Sequence, residues 1–192
     1  MELLKERILK EGVVIGNDVL KVGSFLNQEM DVALLREMGK EWKRLYEGET
    51  VTKILTIENS GIGIACVAAE VFGDLPVVFA KRAKTSNVSG EVYSANVRSF
   101  THGVTSDIFV SKDYLKPEDH ILIIDDFLAN GEALRGLIEL VHQAGATLVG
   151  AGIAIEKGFQ PGGRLLRKEN CRIESLAIIR SMSEKDGIQF DN

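Results

Sequence analysis

Two adjacent acids at the tip of an apolar run mark the segment best suited to chemistry. His120-Ile121-Leu122-Ile123-Ile124 leads into Asp125 and Asp126, and Phe127-Leu128 then gives way to Ala129-Asn130-Gly131-Glu132-Ala133. Consecutive apolar residues without alternation predict a strand buried on both faces. The small residues that follow predict a turn opening a helix, where bare backbone N–H groups at the positive helix end can approach an anion. An anion cradle beside two hydroxyl acceptors suits a sugar phosphate: residues 129–133 would hold the phosphate, and Asp125 and Asp126 the vicinal hydroxyls. Two carboxylates ending an apolar strand would repel each other without a ligand, which argues against a merely solvated turn.

The order of four apolar residues, two acids, two apolar residues and a small-residue loop resembles the signature of the type I phosphoribosyltransferases. The resemblance implies an α/β fold: a central parallel sheet flanked by helices, a small hood built from the two terminal segments, and a flexible loop. It also implies a reaction, transfer of a 5-phosphoribosyl group from phosphoribosyl pyrophosphate to a purine. Asn59-Ser60-Gly61-Ile62-Gly63, after the apolar run Lys53–Glu58, looks like the family's pyrophosphate loop, with Ser60 and Gly61 as contacts. A dinucleotide fingerprint fits worse, because Cys66 stands at its third glycine and Lys81 and Arg82, rather than an acid, end the next strand. Those two cations, closing the run Pro76–Ala80 and expected to face the crevice, suit a departing pyrophosphate. Residues 83–103, rich in Ser, Asn, Gly and Thr, match the family's mobile loop, whose closure excludes water.

Where most of the family has Thr or Ser, the cradle here has Ala129, Asn130, Gly131, Glu132 and Ala133. That departure, the N-terminal stretch Gly12–Asn27 and the run Ile155-Glu156-Lys157-Gly158-Phe159-Gln160-Pro161-Gly162 resemble the bacterial xanthine phosphoribosyltransferases over nearly the whole length. The resemblance implies a base site at Leu20, Asn27 and Lys157. It further implies xanthine and phosphoribosyl pyrophosphate as substrates, Mg²⁺ bound mainly through substrate oxygens, and a homodimer. Xanthine carries two ring carbonyls, to which a lysine can donate, and a pocket pairing both rejects bases lacking one, since an unpaired buried polar group costs about 1–3 kcal/mol. Guanine or hypoxanthine is the alternative base, and a non-catalytic phosphoribosyl pyrophosphate sensor the alternative function. Phe159 either stacks on the base or joins the core.

The elements that must position these groups follow from periodicity. Asp31 predicts an N-cap, with Leu34, Leu35, Met38, Trp42 and Leu45 at helical spacing up to Gly48. Strands are predicted at Lys53–Glu58, Val77–Ala80, Ser106–Val110, His120–Asp126, Leu148–Ile155 and Ile173–Ile179, and helices at Ile62–Phe72 and Gly131–Ala144. Such alternation predicts a parallel sheet covered by helices, with ligands at the strands' carboxyl ends. Residues 11–30, broken by Gly12, Gly16 and Gly23, read as an accessory flap. A single domain over residues 1–192 is expected, with 1–30 and roughly 157–192 contributing the hood.

Composition narrows the field further. A net charge of −5 excludes a broad basic field for nucleic acid, and residues 1–50 are too few and too acidic on balance for a DNA-binding winged helix. Met1–Gly12 is charged throughout and lacks the apolar core of a signal peptide, so a cytoplasmic location is expected. No run approaches a membrane span. Cys66 and Cys171 are expected to be reduced and buried. His102, His120 and His142 lack metal-ligand spacing, so no metal centre built from protein ligands alone is expected. Glu132, Arg135 and Glu139 should form a solvated helix face.

Overall fold

The computed structural model describes residues 1–82, 90–98 and 105–191. Helix α1 (Glu2–Glu11) buries Leu4 and Ile8, one turn apart on a single face. It leads into a hairpin of strands β1 (Val13–Ile15) and β2 (Val19–Lys21), then into a π-helical turn, Gly23–Asn27, that buries Phe25 and Leu26. Helix α2 (Val32–Leu45) starts where the Asp31 carboxylate accepts from the Ala33 and Leu34 amides, both at 3.1 Å, satisfying donors that the first helical turn leaves orphaned. The chain continues through β3 (Lys53–Ile57), α3 (Gly61–Gly73), β4 (Val77–Ala80), β5 (Val92–Arg98), β6 (Thr105–Ser111), β7 (His120–Leu128), α4 (Glu132–Gln143), β8 (Thr147–Lys157), α5 (Gly162–Lys168), β9 (Ile173–Ser183) and β10 (Gly187–Phe190).

Six strands form the central sheet in the order β10-β9-β8-β7-β3-β4. All neighbouring pairs are parallel except β10, which runs antiparallel to β9 at the edge. Strand β7 lies near the middle, and its apolar run shows why: Leu122 and Ile124 join the core beneath α2 and α3, while Ile121 and Ile123 join the core beneath α4. All four are fully buried. Gly152 lets Trp42 pack on the sheet, since a Cβ there would lie 2.9 Å from the indole Cδ1.

Three expectations are corrected. The predicted strand Ser106–Val110 is not part of the parallel sheet: β6 pairs antiparallel with β5 in a separate ribbon, from Val92↔Ser111 to Arg98↔Thr105. Its alternation explains this, because Ala95, Val97, Ile108 and Val110 are buried while Ser94, Asn96 and Asp107 are exposed, the pattern of a ribbon with one covered face; Phe109, on the other face, is buried where the ribbon bridges to Lys81. Part of the expected long loop is therefore strand; residues 83–89 and 99–104, including His102, lie outside the described residues. Cys66 is exposed, whereas Cys171 is buried as expected. Helix α3 buries Gly61, Ile64, Ala65, Ala68 and Ala69, and Cys66 falls off that stripe.

The terminal segments meet each other. The Gly16 amide donates to Glu184 Oε1 at 2.8 Å, and Lys5 Nζ donates to the Asp191 carbonyl at 3.3 Å. Strands β9 and β10 meanwhile extend the central sheet. Among the described residues no helix is long and apolar enough to cross a membrane.

Candidate active site

Strand β7 holds Asp125 and Asp126 at its carboxyl end, locked into register with β8 through Asp125↔Ile153 and Phe127↔Ile155. Asp125 is only 5% exposed, and Asp126 is half-buried. Each carboxylate accepts from the next amide, Asp126 N donating to Asp125 Oδ1 and Phe127 N to Asp126 Oδ1, both at 3.0 Å. Burial first, and the neighbouring Asp126 charge second, push the Asp125 carboxyl well above the usual carboxylate range. A raised acid pKa makes folding costlier as pH rises through the ordinary carboxylate range, because the unfolded chain releases its proton first. Asp125→Asn keeps the acceptor oxygen and removes the titration. Its melting temperature should match the parent near pH 4 and exceed it at pH 7, each kcal/mol relieved adding about 2–4 °C; thermal melts across that range check it.

The turn after β7 is shaped by close backbone packing. Gly131 caps α4 with φ +88°, a conformation that disfavours side chains. Behind it, the Gly162 amide donates to the Ala129 carbonyl at 3.1 Å, and a Cβ on Gly162 would lie 2.5 Å from Gly131 N. Gly131 O accepts the first bond of the helix, from Arg135 N at 2.8 Å. Among the described residues, no acceptor takes the amides of Ala129, Asn130, Gly131, Glu132 or Ala133. They sit at the positive end of a twelve-residue helix, an arrangement that binds anions. Arg135 and Glu139 are exposed, and Glu132 is half-buried at the cradle.

The second turn is brought against the same strand tip. After β3 the Glu58–Asn59 peptide is cis, Ser60 precedes α3, and Gly61 opens it. A Cβ on Gly61 would collide with Thr56 Oγ1 and lie 3.2 Å from Asp125 Oδ1. The residue type is thus dictated first by how closely this turn approaches the Thr56 hydroxyl and only second by the acid. Thr56 is fully buried, and its hydroxyl has no partner among the described residues.

The two cations part company. Arg82 bonds Glu58 through its amide, 2.6 Å to Oε1, and through Nε, 3.3 Å to the carbonyl; its charge also acts on Asp125, favouring the ionised form. Lys81 pairs its backbone with Phe109 and lines a cleft of about 600 Å³ with Lys53, Phe79 and Tyr114 at the sheet edge.

The positions expected to hold a base lie at three different depths. Asn27 Nδ2 donates to Asp126 Oδ2 at 3.1 Å, tying the π-helical turn to the strand tip. Lys157 ends β8, donates to the Asp18 carbonyl in the hairpin turn, and stands 5.8 Å from the Phe127 ring centroid. Burial lowers its pKa. Leu20 is 7% exposed and faces Gly12. Phe159 is 41% exposed, so it is not core. Periodicity gave no hint of Thr56 or of the ion pair between Glu156 and Arg167; the only local signal was the glycine pair Gly162-Gly163, which marks a tight approach.

Residues 21–185 match the family described as the phosphoribosyl transferase domain. The chain belongs to the phosphoribosyltransferase family. Its similarity extends to a xanthine phosphoribosyltransferase of Lachnoclostridium phytofermentans, 58% identical over 97% of this chain and 96% of that protein. A second, from Ruminiclostridium cellulolyticum, is 60% identical over 95% of each. Among solved structures, an adenine phosphoribosyltransferase from Giardia lamblia in complex with 9-deazaadenine shares the fold, with TM-score 0.76 and 22% identity over 91% of this chain and 96% of that one. The phosphoribosyltransferase fold, a mixed and mainly parallel sheet between helical layers, is therefore the architecture of this protein.

Proposed function

We propose that this phosphoribosyltransferase transfers the 5-phosphoribosyl group of phosphoribosyl pyrophosphate to xanthine, giving xanthosine 5'-monophosphate and pyrophosphate. The observation that carries the reading is the convergence of two helix-opening turns, 129–133 and 59–63, on one pair of strand-tip carboxylates. That convergence supports a ribose held between its two phosphate ends.

In this reading the amides of Ala129, Asn130, Gly131, Glu132 and Ala133 take the 5'-phosphate, and Asp125 and Asp126 take the ribose hydroxyls. The Ser60 and Gly61 turn, with Arg82, receives the departing pyrophosphate, whereas Lys81, expected to join them, lies in the sheet-edge cleft. As the bond to pyrophosphate lengthens, the anomeric carbon becomes positive; the Asp126 carboxylate stabilises that charge, and the purine nitrogen attacks. Positioning and charge complementarity supply most of the acceleration. Phosphoribosyltransferases generally use Mg²⁺ with this donor. Half-buried Asp126 with buried Asp125 fits a cation carried mostly by substrate oxygens, which would neutralise pyrophosphate charge. A homodimer working in the cytoplasm belongs to the same reading and rests on the family resemblance.

For the base, Lys157 and Asn27 offer donors, and β2 around Leu20 forms the wall. Lys157 already donates to the Asp18 carbonyl, so a base carbonyl would take over an existing donor. Initial rates of pyrophosphate release on xanthine, guanine and hypoxanthine test the proposal, with xanthine expected to be preferred. Lys157→Met should lower kcat/KM for xanthine about tenfold to a hundredfold, the effect of leaving one buried carbonyl unpaired. The loss on hypoxanthine, which keeps the 6-carbonyl and lacks the 2-carbonyl, tells which of the two Lys157 pairs: a far smaller loss assigns it to the 2-carbonyl, an equal one to the 6-carbonyl. A parent enzyme equally active on all three bases would refute a preference for xanthine, and one faster on guanine or hypoxanthine would make that the salvaged base.

A further inference from the structure

Behind the phosphate cradle lies a group of residues that the chemistry does not use. Helix α5 has seven residues, too few to hold its own position. Its first residue, Gly162, lies directly on the cradle turn, and Leu166 Cδ1 would be 3.1 Å from a Cβ on Gly131. From its far end Arg167 reaches back with a two-pronged pair: Nη1 to Glu156 Oε1 and Nη2 to Glu156 Oε2, both at 2.7 Å, with a further bond from Nη2 to the Ile173 carbonyl at 3.3 Å. Ser175 Oγ donates to the same carboxylate. Glu156 is only 4% exposed, while the Arg167 side chain is 36% exposed. A Cβ on Gly163 would collide with Glu156 Oε1, so α5 rests its backbone on the pair.

Glu156 itself cannot drift. Strand β8 sets it opposite Leu128 of β7 and Ile178 of β9, and Leu128 immediately precedes the cradle. Planar two-pronged pairing fixes direction as well as distance. Lys157, next in β8, takes its place from the sheet ladder, opposite Ile179, and owes nothing to α5.

We infer that Arg167, through Glu156, is a positioning residue for the phosphate cradle: it seats α5 behind residues 129–131 and so sets affinity for the ribose 5-phosphate end of the donor, independently of the base. The inference rests on the functional reading above.

Ribose 5-phosphate is the probe, because it engages the cradle and strand tip without a base or pyrophosphate. Calorimetric titration should show Arg167→Lys, which keeps the charge and loses the fork, weakening its affinity about tenfold, the effect of a small misplacement of a binding group. KM for phosphoribosyl pyrophosphate should rise in parallel, with KM for xanthine within about twofold of the parent. Glu156→Gln, which keeps shape and removes charge, should show the same split more weakly and serves if Arg167→Lys does not fold. A lower melting temperature with unchanged ribose 5-phosphate affinity would reduce the pair to a structural brace and overturn the inference alone. So would equal weakening toward both substrates. A parent protein that fails to bind ribose 5-phosphate would overturn the functional reading and this inference together.

Discussion

Asp126→Ala lowers kcat/KM by about 10²–10³-fold, the range for removing one preorganised electrostatic partner of a transition state, without lowering the melting temperature. The two halves of that result have separate causes. Activity falls because Asp126 is the more exposed of the pair, placed to face a developing positive charge, and because Asn27 loses its anchor at 3.1 Å. Stability holds because the carboxylate lies beside buried Asp125 and contributes to holding that acid well above its ordinary range. Removing one of two neighbouring like charges relieves repulsion that exists only for the ligand's sake, the usual trade at a site built for binding rather than for folding. Asp126→Asn should fall between, since it retains a hydrogen-bonding oxygen and loses the charge. Initial rates of pyrophosphate release, set beside thermal melts, make the measurement. A variant with kcat/KM within threefold of the parent would show that the strand tip is not where the sugar is held.

How much of this was legible in the sequence depends on whether each cause is local. The run Ile121–Ile124 announced a strand buried on both faces, and the fold assigns its residues alternately to the two cores. The cradle after it was legible because helix-opening turns carry their chemistry in consecutive residues. Helix α1 escaped notice because only Leu4 and Ile8 are buried in it, while Leu3 and Leu9 are exposed, which blurs the apolar stripe. Strand β5 was hidden by its Ser and Asn residues, although Ala95 and Val97 alternate with them as a one-sided ribbon should. Ser106–Val110 was recognised as a strand, but its partner was not, because pairing is non-local. The same limit concealed Arg167 and Glu156, whose contact depends on where α5 folds back. As for the base, nothing in periodicity or spacing separates xanthine from guanine. That step came from resemblance over the length of the chain, and the 58% and 60% identities to xanthine phosphoribosyltransferases agree with it.

The contact between β3 and the start of α3 carries the other large effect, and its sign distinguishes two physical causes. Gly61→Ala places a methyl group in a helix, where Ala is favoured over Gly by about 1 kcal/mol; on propensity alone the variant would be more stable. Packing says otherwise. The new Cβ would collide with Thr56 Oγ1 and press on Asp125 Oδ1 at 3.2 Å, and neither atom can retreat, since Thr56 is fully buried and Asp125 nearly so. Overpacking of this kind costs about 1–3 kcal/mol, so the melting temperature should fall and KM for phosphoribosyl pyrophosphate should rise as the turn is pushed off the acid. Thr56→Ala removes the obstructing hydroxyl, which has no partner among the described residues, and leaves Thr56 Cβ at an ordinary 3.5 Å from the new methyl. In that background the same Gly61→Ala change should become neutral or stabilising, a reversal of sign that two independent sites do not produce. Activity should recover less completely than stability, because the contact with Asp125 persists in the double variant. A stability loss that stays the same with and without Thr56 would mean that the turn owes its position to something other than this contact, and the close seating of residues 59–63 on the strand-tip acid would lose its explanation.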